Sequence, residues 1–492
     1  MSPIQTARRT NFRWMVCSML FLATTINYMD RQVLSLTWKD FIAPEFAWSD
    51  EDYGRITSLF SLVYAISMLL AGKFMDIVGV RRGYAWAVAL WSLGAMLHAF
   101  CGIATCGVLT GVWTADFNGA KETLHNFGVA GLPITTISIY MFLACRFIMA
   151  IGQAGNFPAA VKVTTEYFPK RDRAYTISIF NNGASVGALI APVTIPVLAN
   201  NFGWEMAFIA VGAVGYLWML LWIIFYVRPQ HNDYVNQAEY DYILQDDDMS
   251  DELPPNKSED NTEPVTQERI GILRSLTMRH TWALIIGRFM TDGVWWFFLF
   301  WTPIYIYDFY GYTADSTTGM GLIVMLYLIS MLSVLGGYLP THLMTKQGLT
   351  PNASRSRSMF LFALIELIGF LAVPLGTYSP WLFVTVVGIM AAAHQSWSAN
   401  LYSMIGDYFP RNSIGTVTGI NGMAGGAASY LVMLSSGSLL AYAANAGETF
   451  HFMGYEGKQA AYMIVFCCFA MMYLIGWGLM RLIIPDDAQT DR

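Results

Sequence analysis

Apolar stretches recur along the whole chain, each about twenty residues or longer and separated by short polar turns. They fall at roughly 14–37, 53–78, 84–104, 136–160, 174–199, 204–227, 280–306, 318–340, 358–377, 380–405, 413–442 and 459–483. A helix needs about 20 such residues to cross a bilayer. Only a helix or a closed barrel satisfies its own backbone groups where water is absent. The pattern therefore predicts an all-α polytopic membrane protein with twelve transmembrane helices. A polar segment, 228–279, divides the runs six and six.

The tail before the first run holds Arg8, Arg9 and Arg13 and leads directly into "WMVCSMLFLATTINYMDRQVLSLT". That run is too long for a signal-peptide core and lacks a small-residue cleavage site, so it is read as the first span. An even number of spans puts both termini on one side. Lys and Arg cluster in the loops of that side, including Arg81, Arg82, Lys170, Arg171, Arg228, Lys346 and Arg411, whereas the opposite loops hold Lys39, Arg55, Lys121 and Lys458. This bias marks the terminal side as cytoplasmic. The segment 228–279 is polar, acidic and proline-containing, the composition of a flexible linker.

The two halves repeat. "EYFPKRDRAYTISIFNNGA" from Glu166 matches "DYFPRNSIGTVTGINGMAG" from Asp407, 241 positions later. "GKFMDIVGVRRG" from Gly72 matches "GYLPTHLMTKQG" from Gly337, 265 positions later. The unequal spacing locates an insertion between spans three and four, at about 105–135 on the external side. Residues 1–227 and 280–492 are thus read as two six-helix halves. Parallel six-helix repeats are a transporter architecture with the substrate site at the midplane between them.

Composition narrows the class. The 492 residues are 55% hydrophobic and 13% charged, about half the charged share of a soluble protein. A soluble enzyme is therefore excluded. No metal-ligand spacing, phosphate-binding glycine loop or nucleophile motif occurs, so no cofactor, metal or nucleic-acid partner is expected. The expected partners are the lipid bilayer and a small molecule, handled by a monomer.

Against that background the few intramembrane charges stand out. Asp30 and Arg31 lie about 24 Å along the first span from Trp14 at 1.5 Å per residue, and Arg146 lies mid-span in the fourth run. A charge at the bilayer centre costs roughly 2.5–3.5 kcal/mol on insertion scales. An arginine fork suits a carboxylate, which it can hold by two parallel hydrogen bonds. A carboxylic acid removed from water favours its neutral form and can exchange a proton. Arg31 and Arg146 therefore form a candidate anion receptor, with Asp30 as the proton-coupling residue. Gln153 is seven positions after Arg146 and shares its helix face.

The repeat spacing maps Asp30 and Arg31 onto Trp295 and Trp296, and Arg146 and Gln153 onto Val387 and His394. The charges are thus confined to the first half, while the second supplies aromatics and amides. Trp296, His394, Trp397, Asn400 and Asn421 are candidates for stacking on sugar C–H faces and bonding hydroxyls. Trp295 and Trp296 also fit an interfacial aromatic belt. Asn181 and Asn182, within span five, fit either substrate or helix–helix hydrogen bonds. Arg288 and Asp292, four apart, are read as an intrahelical pair.

"GKFMDIVGVRRG" follows the loop signature of the major facilitator superfamily. "NYMDRQVLSL", "RFIMAIGQAGNFPAAVKVTTEYFPKRDRA", "GRFMTDGVWWFFLFWTP" and "AHQSWSANLYSMIGDYFP" make the chain resemble its anion:cation symporter branch, and most of all the hexuronate (glucuronate/galacturonate) transporters. The resemblance implies a secondary transporter that moves a sugar acid with protons by alternating access. It implies a cavity position for Tyr64 and a conformational gate at Asp76, Arg81 and Arg82. It also exposes a departure, because similar carriers often have a proton-coupling glutamate where this chain has Gln153, which cannot titrate. Carriage of another small organic anion, uncoupled facilitation and a non-transporting sensor remain open at this stage.

Overall fold

The computed structural model describes residues 9–114, 116–126, 132–245, 270–312 and 316–484. Twelve spans are present among the described residues, several of them broken. They are α1 (Phe12–Thr37), α2 (Asp50–Val78), α3 (Val80–His98, continued by Cys101–Thr110) and α4 (Leu132–Gln153, continued by Asn156–Tyr167). Then come α5 (Lys170–Phe202), α6 (Trp204–Phe225), α7 (Arg279–Phe289 and Asp292–Tyr310) and α8 (Thr317–Ser330 and Ser333–Gln347). The last four are α9 (Pro351–Glu366 and, after a 3₁₀ stretch Leu367–Leu371, Ala372–Gly376), α10 (Pro380–Tyr408), α11 (Ile414–Ala446) and α12 (Gly457–Ile483).

Ten of these are long and apolar enough to cross a bilayer unaided, and α3 makes an eleventh if its 56° bend is counted as one span. The remaining span, α1, carries Arg13, Asp30 and Arg31. All twelve runs seen in the sequence are helical. The central breaks in α4, α7, α8 and α9 are features the apolar pattern did not reveal.

Small residues bring the helices together, as lipid-embedded packing requires. Gly183 and Gly187 on α5 let α1 approach so closely that an added Cβ would lie 2.5 Å from the Phe21 carbonyl and 2.6 Å from that of Thr25. Gly152 does the same for α4 against Trp91 of α3. Aromatic stacks fill the spaces, for example Tyr84, Trp218, Trp222 and Tyr226, with centroids 4.1–5.3 Å apart. Side chains such as Leu70, Trp86, Leu217 and Leu335 are exposed on the exterior, where lipid would cover them.

Several of the connecting segments fold, among them the stretch between α1 and α2, helical over Trp38–Ile42 and Ala43–Phe46. In the insertion between α3 and α4 a helix, Phe117–Asn126, is held by Lys121, which pairs with Glu205 at 2.8 Å and Glu45 at 3.4 Å. A two-residue hairpin, β1 (His451–Phe452) with β2 (Tyr455–Glu456), joins α11 to α12.

The reading of 228–279 as a flexible linker fails at both ends. Residues 229–231 and Gln237–Leu244 are helical, as are Ile272–Ser275 at the other end; the acidic run 246–269 lies outside the described residues. The helix Gln237–Leu244 docks on the start of α1, which has no side-chain cap of its own. Fully buried Glu239 accepts from the Phe12 and Arg13 amides, both at 3.2 Å, from Thr10 Oγ1 at 2.6 Å and from Arg13 Nη1 at 2.9 Å. It serves as an N-cap supplied from another helix. Composition missed this because one carboxylate on four donors outweighs a polar average.

Glu239→Ala leaves those donors and Arg13 without their acceptor. It should destabilise the full chain by about 1–3 kcal/mol, read as a lower midpoint of thermal unfolding in detergent. An unchanged midpoint would show that the docking contributes nothing to stability.

Candidate functional site

The charges of the first half converge. Arg31 points from α1 into the space between the halves, with its Nε donating to Gln153 Oε1 of α4 at 2.9 Å. Its guanidinium lies 4.3 Å from the ring centroid of Tyr64, 5.1 Å from that of Tyr28 and 5.9 Å from that of Trp296 on α7. Three rings, one of them from the second half, thus surround a cation whose buried Nη2 completes no well-oriented hydrogen bond.

Asp30 is 1% exposed and neither of its oxygens has a hydrogen-bond partner. The cation acting on it is Arg146, which lies over the Phe60 ring at 5.1 Å and keeps a buried, unpartnered Nε. Gln153 Nε2 donates to the Asn27 carbonyl at 3.3 Å. Asp30, Arg31, Arg146, Gln153, Tyr64 and Trp296 therefore form one constellation. Sequence reasoning missed Tyr28 and Asn27. The Asn27 amide is fully buried with both ends unpartnered; its spacing of three before Asp30 was the available signal.

The second half faces this group with Arg288 and Asp292, paired across one turn at 2.7 Å as read from the sequence. Arg288 also donates to Ser398 Oγ at 2.7 Å and lies over the Tyr402 ring at 4.7 Å. Tyr28 and Tyr402 lie within electrostatic reach of this pair and Tyr64 within reach of Arg288, and Tyr402 stacks on Phe157 of α4 at 5.6 Å.

The amides divide. Asn182 stitches the halves, donating to the Met331 carbonyl at 3.5 Å and accepting from Ser333 at 3.2 Å. Asn181 keeps a buried, unpartnered Oδ1, as does Asn400, and both polar ends of Asn421 are unpartnered.

His394 and Trp397 do not join the constellation. They share a face of α10, but that face meets α12 and the start of α7. His394 Nδ1 bonds the Tyr473 hydroxyl at 2.7 Å and stacks on Trp295 at 5.8 Å. Trp397 is fully buried, with Nε1 directed at the Gly287 carbonyl at 3.4 Å. Helical spacing showed that they share a face and carried no information on which neighbour that face meets.

The gate differs from its expected form. Asp76, buried at the end of α2, pairs with Lys162 at 2.6 Å. It also crosses to the second half, accepting from the Gly415 and Thr416 amides at 3.1 and 2.6 Å and from Thr416 Oγ1 at 2.7 Å. It thereby caps α11, whose N-cap residue makes no such bond. A carboxylate is favoured there by the unsatisfied amides and the helix dipole. Arg81 and Arg82 are exposed and do not share this contact; Arg81 Nη2 bonds the Ile223 carbonyl of α6 at 2.9 Å, within its own half. A guanidinium at the surface reaches a nearby carbonyl more readily than a buried carboxylate, and the compact Lys162 ammonium takes that place instead.

Further contacts close the same end. Asp407 holds Arg355 at 2.5 Å and Arg173 at 3.6 Å; Arg173 bonds the Gly406 carbonyl at 2.7 Å, and Arg355 bonds that of Lys170 at 2.8 Å. Contacts between the halves run from this end along α2–α11 as far as Ala65–Gly426, and along α5–α8 as far as Ser185–Ser330. That is about 20 Å of helix at 1.5 Å per residue. The bundle is closed on the terminal side.

A family model described as Major Facilitator Superfamily matches residues 20–433, and the chain belongs to that superfamily. It is 27% identical over 427 residues to the hexuronate transporter of Escherichia coli (strain K12), covering 87% of each chain. It is 24% identical over 328 residues to the galacturonate transporter of Dickeya chrysanthemi, covering 67% of this chain and 81% of that one. The structure of the proton:xylose symporter XylE bound to 6-bromo-6-deoxy-D-glucose superposes with a TM-score of 0.62 at 15% identity, covering 96% of both chains. The chain is an integral membrane transporter of small molecules and not an enzyme.

The closed end should respond to Asp76. Asp76→Asn keeps the shape and loses the charge on four donors. Hydrogen bonds to a charged group contribute about 1.5–3 kcal/mol, so the terminal side should open roughly ten- to a hundredfold more often. Spin-label distances between the terminal ends of α2 and α11 would report this. Identical distance distributions in variant and parent would show that the carboxylate does not hold the gate.

Proposed function

We propose that this chain carries a sugar acid, a hexuronate or similar hydroxylated monocarboxylate, by proton-coupled alternating access. The observation that carries the reading is Arg31: a cation in an aromatic cage made by both halves, whose Nη2 completes no well-oriented hydrogen bond. Its relatives named for hexuronate and galacturonate support the substrate class. The substrate carboxylate binds Arg31, with Arg146 adding positive potential. Tyr28, Tyr64 and Trp296 cover the C–H faces of the sugar. Asn27, Asn181, Asn400 and Asn421 take its hydroxyls. Buried polar groups left without partners are costly, and a polyol acid satisfies several of them at once.

Asp30 binds the coupling proton. When it is neutral, Arg146 and Arg31 present more positive charge to the substrate, so proton and anion binding favour one another. This is the requirement for symport. Residues 1–227 and 280–492 move as two halves, joined by 228–279. The termini face the cytoplasm of a plasma membrane, the bacterial inner membrane by the character of the relatives, and the chain works as a monomer. The described state, closed on the terminal side, is then outward-facing.

The test is uptake of a panel of sugar acids into proteoliposomes, with and without an imposed pH gradient. Arg31→Ala and Arg146→Ala should each abolish uptake while the protein stays folded in detergent, because losing one buried charged partner costs about 2–5 kcal/mol of binding. Asp30→Asn should lose accumulation driven by the gradient and keep substrate exchange. Saturable uptake of other organic anions alone would overturn the substrate class. A parent indifferent to the gradient would overturn symport.

Gln153→Glu gives a signed outcome. An ionised glutamate in the place of Gln153 Oε1 pairs with Arg31 and competes with the substrate carboxylate. Protonation releases it. Uptake by the variant should therefore fall more steeply than the parent's as pH rises. A pH profile parallel to the parent's would argue against Arg31 as the carboxylate receptor.

A further inference from the structure

The second half contains a carboxyl group that the site above does not use. Glu366 ends the first segment of α9, where the helix gives way to the 3₁₀ stretch Leu367–Leu371. It is fully buried, and neither oxygen completes a well-oriented hydrogen bond. Glu366 and Tyr473 each stand ten residues from the nearer end of their span and His394 fourteen from both ends of its own, so all three lie about 15 Å deep or more at 1.5 Å per residue. An ionised carboxylate without a cation against it is not sustained in such a dry interior.

What lies beside Glu366 is the Tyr473 hydroxyl of α12. That hydroxyl bonds His394 Nδ1 at 2.7 Å, and His394 stacks on Trp295, next in sequence to Trp296 of the substrate cage. The other charged groups facing this line are Arg288 on α7, which acts on His394 and Tyr473, and Asp292, which acts on Tyr473. The two are paired with each other. The row therefore starts at Trp295, beside Trp296 in sequence, and runs through His394 and Tyr473, on α10 and α12, to an acid on α9 with no other partner.

We propose that Glu366 is a second proton-binding site, reached from the central cavity through His394 and Tyr473. A proton entering at His394 passes from Nδ1 to the Tyr473 oxygen as Tyr473 releases its hydroxyl proton to Glu366. His394 and Tyr473 end neutral, His394 in its other tautomer and the Tyr473 hydroxyl turned toward it, and Glu366 alone gains a proton; release reverses the sequence and restores both. The inference rests on the proton-coupled reading above and deepens it: the second half holds a titratable acid although Gln153 cannot act as one. The 3₁₀ turn that follows Glu366 gives the site a segment of backbone whose packing can differ between the two states.

The experiment measures protons moved per substrate in proteoliposomes, from the pH gradient at which net glucuronate flux stops. Glu366→Gln imitates the neutral acid and should lower the ratio by one proton while retaining glucuronate-for-glucuronate exchange, which needs no net proton movement. Tyr473→Phe keeps the ring, removes only the bridging hydroxyl and should lower the ratio in the same way, so the inference remains testable if Glu366→Gln does not fold. A coupled parent whose ratio is unchanged in both variants overturns this site and leaves Asp30 symport standing. A parent that moves no proton overturns the symport reading and this inference with it.

Discussion

Charge in a bilayer interior has to be confined, and that constraint organises this molecule. Inserting one ionised group at the centre costs a few kcal/mol even on the most lenient scales. Here the intramembrane charges sit on surfaces where protein meets protein. Arg31 reaches the Trp296 ring of the other half, with Asp30 and Arg146 packed behind it, Arg288 and Asp292 answer from the other side, and Asp76 with Lys162 closes the terminal end. Moved to the lipid face, Arg31, Arg288, Asp292, Asp76 and Lys162 would each lose a bonded partner, and Asp30 would lose the nearby Arg146. The seam between the halves is thus both the most polar part of the interior and the part that must separate for transport.

The repeat shows how that seam is built. Gly72 of α2 meets Gly415 of α11, and Gly337 of α8 meets Ala174 of α5. These are the same contact twice: Gly72 and Gly337 are related by the first repeat spacing, Ala174 and Gly415 by the second. The backbones approach so closely that a Cβ on Gly72 would fall 2.1 Å from the Gly415 carbonyl oxygen. The polar reinforcement is not duplicated. Asp76 caps α11, whereas its counterpart Thr341 makes one hydroxyl bond to the Arg171 carbonyl, and the ion pairs of Arg173 and Arg355 with Asp407 strengthen the second seam instead. Symmetric packing lets both seams open together, and unequal polar contacts allow each to be set separately.

The sequence made the helices legible and their rotations obscure. Runs of apolar residues located all twelve spans, since span length follows from bilayer thickness. The cluster of Asp30, Arg31, Arg146 and Gln153 was legible because charges there admit few places to go. Tyr64 and Trp296 came with the family resemblance and the repeat. His394 and Trp397 were misplaced for a physical reason. In lipid the outer surface is as apolar as the core, so hydrophobic periodicity does not tell which face of α10 looks at the other half and which at α12. Lys162 and Glu366 escaped notice in the same way: each is one charge in an apolar run, and only its neighbours on other helices distinguish a gate from a proton site. Glu239 escaped because an acidic, proline-containing segment was judged by its average.

Gln153 stands where the resemblance leads one to expect a glutamate, and an amide there changes what the central site can do. A glutamate bonded to Arg31 would have to give up that bond, or its charge, before the substrate carboxylate could bind. Glutamine holds the guanidinium through Nε without neutralising it, leaving Nη2 for the anion. On the proposed reading the anion therefore meets the same Arg31 cation at every pH, because Gln153 does not titrate. On the symport reading, dependence on the proton comes from a carboxyl group that senses the cations without occupying the anion's place. Asp30 fits this, being acted on by Arg146 yet forming no ion pair with it among the described residues. Coupling in such a site acts through the electrostatic potential around the anion rather than by exchange of partners, and a carboxyl group farther away, in the other half, can contribute on the same terms.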